Sequence, residues 1–71
     1  MTNPHYPKII LSFPYRGFKI EIDRMELEGQ IIYAAWANYD RGCAVAVPSA
    51  VSPLEAIKKA KKWIDRRLQQ V

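Results

Sequence analysis

The sequence predicts an α+β domain, an antiparallel meander of three to four strands packed by one C-terminal helix. Three observations lead there. Apolar and polar residues alternate along 8–13 and 18–22, turns containing Gly17, Gly29 and Gly42 separate the alternating runs, and the final segment switches to a helical period behind a capping box. Seventy-one residues suffice for one hydrophobic core and no more, so residues 8–71 form a single domain behind a tail of residues 1–7.

The tail holds Pro4, Pro7 and the single histidine, His5, without apolar periodicity, which predicts a mobile segment. The first strand runs from Lys8 to Phe13, with Ile9, Leu11 and Phe13 on one face. Pro14 to Gly17 supplies a turn: proline fixes φ, and a glycine three residues on is free to take a positive value. The second strand starts at Phe18 with Phe18, Ile20 and Ile22 on one face. At Met25 and Leu27 the apolar side chains change phase, which predicts a bulge near Asp23 and Arg24 or a strand end exposed on its other face. Glu28 and Gly29 form a hairpin turn. The third strand, Gln30 to Asn38, has no polar face between Ile31 and Ala37 and therefore reads as central. A turn over Asn38 to Gly42 leads to a short last strand, Cys43 to Val47, which Pro48 ends.

Ser52, Pro53, Leu54 and Glu55 are the strongest local signal: a capping box with proline at the first helical position. On the helix that follows, Ile57, Ala60, Ile64, Leu68 and Val71 share a face flanked by Ala56 and Trp63, and Lys58, Lys59, Lys62 and Arg66 gather opposite. Folding the second strand onto the third about Glu28 and Gly29 pairs Ile22 with Ala35 and Ile20 with Ala37. Two alanines beside two isoleucines make a seat for the helix, with Trp63 and Ile64 above it and Phe18 at one end. That register places Met25, Ile32 and Trp36 on the face away from the helix. A second copy of the chain, a different protein partner, or the N-terminal segment with Tyr6 and Ile10 would cover them.

Composition narrows the function classes. One cysteine, Cys43, and one histidine give no disulfide, no zinc-ligand spacing and no Cys-His pair, and no cofactor is implied. No glycine-rich phosphate loop or nucleophile motif occurs, and the acids Glu21, Asp23, Glu26 and Glu28 alternate with their neighbours as a solvated strand face does, so no catalytic residue is assigned. The longest apolar run, Ile31 to Ala37, falls well short of the roughly 20 residues that span a bilayer. The reading is a soluble, cytosolic protein without a membrane partner.

The net charge is +4, from 11 Lys and Arg against 7 Asp and Glu, and six of the cations fall between Lys58 and Arg67. Such a stripe tracks phosphates, and it is equally the solvated face of an ordinary helix, with Glu55 four residues before Lys59. Arg16 and Arg41 sit beside Tyr15 and Tyr39 in turns that a meander brings to the same end of the sheet, a composition suited to nucleic acid or peptide. The candidate nucleic-acid contacts are therefore Arg16, Arg41, Lys58, Lys59, Lys62 and Arg66. Met25, Ile32 and Trp36 form the alternative interaction face. Trp63 and Arg67, one helical turn apart, are placed to stack, although Trp63 beside Ala60 also reads as core.

The run Tyr15-Arg16-Gly17-Phe18-Lys19-Ile20, followed by Ser52-Pro53-Leu54-Glu55-Ala56-Ile57 and Ala60, Lys61, Trp63, Ile64 and Asp65, resembles a β-β-β-α pattern of small uncharacterised bacterial and phage proteins. The layout is also similar to HicB-like antitoxins, whose helix opens with a capping box, and to the arm-type DNA-binding domain of phage integrases, whose sheet enters a DNA groove. The resemblance covers about residues 15 to 66. Its motifs are capping and packing features, so it implies a fold and transfers no functional residue.

Overall fold

A computed structural model describes residues 8–69. Strands β1 (Lys8–Tyr15), β2 (Phe18–Leu27), β3 (Gln30–Tyr39) and β4 (Gly42–Ala50) form an antiparallel sheet in the order β1-β2-β3-β4, followed by helix α1 (Pro53–Gln69). The expected tail with His5 and Tyr6 and the last expected helical position, Val71, lie outside the described residues.

Three two-residue turns set the meander, and the first two share one geometry. Arg16 and Gly17 have φ of 50° and 87°, and Glu28 and Gly29 have 51° and 81°. Positive φ at both central residues is the type I′ geometry, whose twist matches that of the flanking strands. The first turn is thus shorter than expected, and Pro14 and Tyr15 belong to β1.

From Lys19 opposite Asn38 to Leu27 opposite Gln30, β2 and β3 pair without a break, so Ile22 faces Ala35 and Ile20 faces Ala37 as the pattern predicts. The irregularity expected near Asp23 and Arg24 lies instead on β1, between Ile9 and Leu11. Ile10 is the extra residue there. Leu11 and Phe13 pair with Ile22 and Ile20, whereas Ile9 pairs with Asp23 and leaves the face it was expected to share with them. Met25 and Leu27 change phase for the other reason anticipated: the strand continues, and its helix-side positions Arg24 and Glu26 are exposed, so nothing there demands an apolar side chain.

The last strand does not end at Pro48. It runs to Ala50 with two register shifts against β3, around Ala46 and between Val47 and Ala50, which leave both Val47 and Ala50 buried against the helix. Proline is tolerated because β4 is an edge strand, where a missing amide donor faces no neighbour.

The core lies between the sheet and α1. Ile20, Ile22, Ala35, Ala37, Val47 and Ala50 pack under Ala56, Ala60 and Ile64, with Phe13, Tyr15, Phe18, Tyr33, Ile57, Trp63 and Leu68 around them. Small side chains on both layers let the helix backbone approach closely. Its start is fixed by one half of the expected box, the Glu55 amide donating to Ser52 Oγ at 3.1 Å, while Glu55 Oε1 accepts at 3.4 Å from the amide of Val51, one residue before the cap.

Candidate functional site

The C-terminal half of α1 lies over the end of the sheet that carries the β1–β2 and β3–β4 turns, and two polar features tie it there. Tyr15 Oη and Arg16 Nη1 each donate to Asp65 Oδ1 at 2.8 Å. Arg16, one of the expected nucleic-acid contacts, is therefore held by an acid of the helix while its side chain stays about half exposed, at 52%. The Arg16 bond, and after it the Tyr15 bond, hold the Asp65 carboxyl below its usual range, and the same contact raises the Tyr15 phenol.

A folded-state pKa below the unfolded one contributes stability above the unfolded value and loses it as pH falls through the folded value. The melting temperature of the wild type should exceed that of Asp65→Asn by a constant small margin from neutrality down to about pH 4, near the ordinary aspartate value of 3.8, and the margin should close below that. Parallel thermal melts of the two proteins between pH 2 and 7 would check this, and a margin that widens in acid would contradict it.

On the other flank of the helix a groove of about 390 Å³ opens between α1 and β4. Its lining is Ala46, Lys59, Lys62, Trp63, Arg66 and Arg67. The helical residues follow the spacing i, i+3, i+4, i+7, i+8, one stripe along one side of the helix. Next to the buried row of Ala56, Ala60 and Ile64, that stripe projects over the edge strand. Among the described residues no acid lines the groove, and Lys59 reaching back to Glu55 at 3.7 Å is the one ion pair of these cations.

An aromatic cluster closes the groove toward the turns. Phe18 meets Trp63 edge-on, with ring centroids 6.4 Å apart, and packs against Tyr39 at 5.6 Å. The Arg67 guanidinium carbon stands 5.2 Å from the Trp63 ring and 5.7 Å from the Tyr39 ring. Trp63 is therefore both a core neighbour and a groove wall.

Three of the six expected cations, Lys59, Lys62 and Arg66, come together here. Lys58 is exposed on the helix outside the groove lining, and Arg41 is exposed in the β3–β4 turn, beyond Tyr39. Arg67 joins the groove although it was expected only to stack on Trp63, and its spacing from Lys59 and Lys62 was the available signal. Ala46 had none, because its place depends on which sheet edge the helix overhangs. Lys61 lies on the opposite flank, over the rings of Tyr15 at 5.3 Å and Phe13 at 5.8 Å.

The face away from the helix carries the alternative set. Met25 pairs directly with Ile32, and Trp36 pairs with Val45, which is 47% exposed. Trp36 Nε1 is buried and has no hydrogen-bond partner among the described residues. Polar groups interrupt this face: Asp23, almost wholly buried, accepts from the Lys8 amide at 3.0 Å, and Asn38 Nδ2 donates to Glu21 Oε1 at 2.8 Å. Cys43 is an exposed free thiol.

Among the described residues no group of His, Cys, Asp and Glu is placed to hold a metal ion, and no helix is long and apolar enough to cross a membrane. No protein-family model matches the chain, and neither a curated protein nor a solved structure matches it.

Proposed function

We propose that the chain is a small cytoplasmic, non-enzymatic binding module for nucleic acid, and that the groove between α1 and β4 is its contact surface. One observation carries the reading: Lys59, Lys62, Arg66 and Arg67 line a single groove with an indole and, among the described residues, no acid. Cations so arranged neutralise successive phosphates and release their counterions, a source of affinity that needs no base recognition. The solvated-face alternative accounts for exposed lysines on a helix. It does not account for a cationic row turned over a sheet edge beside Trp63. Arg41 would extend the surface past Tyr39, and Arg16 would join it only by leaving Asp65.

A second reading, a protein-binding or homodimeric module using Met25, Ile32 and Trp36, is favoured by the exposure of Met25 and Val45. Titrating labelled protein with short duplex DNA and with single-stranded RNA, followed by amide shifts, separates the two. Shift changes should collect at Ala46, Lys59, Lys62, Trp63, Arg66 and Arg67. Changes confined to Met25, Ile32, Trp36 and Val45 would favour the second reading, and no change with either nucleic acid would remove the first.

A further inference from the structure

The shape of the groove bears on which form of nucleic acid it takes. A helix that reads duplex DNA presents an outward face to the major groove, which is roughly 12 Å wide. Here Lys59, Lys62, Arg66 and Arg67 line the cleft between the helix and the sheet edge, a space of about 390 Å³. The backbone of a stiff duplex meets the rim of such a cleft, whereas one flexible strand can follow it to the floor.

The cleft also provides what single strands use and duplexes do not. Lys59, Lys62 and Arg66 are spaced about 4.5 and 6 Å apart along the helix axis, a cationic track for one backbone. At its end the Arg67 guanidinium stands beside the rings of Trp63 and Tyr39. Unpaired bases stack on aromatic rings and on arginine planes, and paired bases keep those faces inside the duplex.

Resting on the nucleic-acid reading above, we infer that the α1–β4 groove binds single-stranded DNA or RNA without sequence preference. Lys59, Lys62 and Arg66 follow the phosphates, and a base stacks against the Arg67–Trp63 pair.

The experiment compares a labelled 12-nucleotide oligothymidylate with a labelled dT·dA duplex of the same length, by fluorescence anisotropy, on the wild type and on Arg67→Lys. The single strand should bind about tenfold more tightly than the duplex, the scale of one stacked base. Arg67→Lys keeps the charge and loses the plane, so it should bring the two affinities together. In a Trp36→Phe background, where Trp63 is the remaining one of two tryptophans, the single strand should quench the emission and the duplex should not. A duplex bound as tightly as the strand, or a preference that survives Arg67→Lys, would overturn this inference and leave nucleic-acid binding standing. Binding of neither probe would overturn both.

Discussion

Ile64→Ala should lower the free energy of unfolding by about 3–4 kcal/mol, within the range seen when a buried isoleucine is truncated to alanine. Ile64 has no solvent exposure, and it completes the buried row of α1 with Ala56 and Ala60 against Ile20, Ile22, Ala35, Ala37 and Val47. Because its neighbours on the helix and on β3 are already alanines, few side chains are long enough to fill the space it leaves. A domain of 71 residues has a margin of about 4–10 kcal/mol, so the variant should lose between about a third and all of its stability. Urea unfolding followed by helical circular dichroism gives the value. Leu54→Ala, at a residue of α1 that is 62% exposed, is the control and should cost under about 0.5 kcal/mol. Equal losses in the two variants would mean that α1 is not seated on the sheet through Ile64.

Much of this arrangement is legible in the sequence because the signals are local. The pairing of Ile20 and Ile22 with Ala37 and Ala35 follows once the Glu28–Gly29 hairpin is recognised, since a two-residue loop fixes register and a one-residue slip would turn every side chain over. The helix start follows from Ser52, Pro53 and Glu55. Where the outcome depends on neighbours distant in the chain, the pattern is silent. Pro48 reads as a strand end unless β4 is known to be an edge, and Ile10 alternates with its neighbours as any strand residue does, so nothing marks it as the bulge.

The same division runs through the candidate site. Lys59, Lys62 and Arg66 fall on one stripe by helical period alone. That Arg16 would be held by Asp65, 49 residues away, has no signature in the composition of either segment. Neither does the meeting of Arg67 with Tyr39, nor the contribution of Ala46, because both require the helix to lean toward β4. Trp63 shows why a choice between core and surface was too coarse: one residue packs on Phe18 and also walls the groove.

The largest functional effect is expected from the double reversal Lys62→Glu/Arg66→Glu. Both side chains are exposed cations on the groove wall, so the substitution should leave the fold intact while placing two negative charges along the phosphate track. With Lys59, Lys62 and Arg66 against phosphates, the slope of log affinity on log salt is about −2.1 for a single strand and about −2.7 for a duplex. Removing two of the three contacts cuts the slope to about a third, and the added repulsion should reduce affinity at low salt by about a hundredfold.

The most direct test is to measure the affinity of the wild type and of this variant for one labelled oligonucleotide at 50 and at 200 mM salt. The wild type should bind and should weaken by about 20-fold to 40-fold between the two, with the variant at least tenfold weaker at 50 mM and far less sensitive to salt. Equal binding by the two proteins, or a wild-type affinity that salt does not change, would contradict the groove as a nucleic-acid surface.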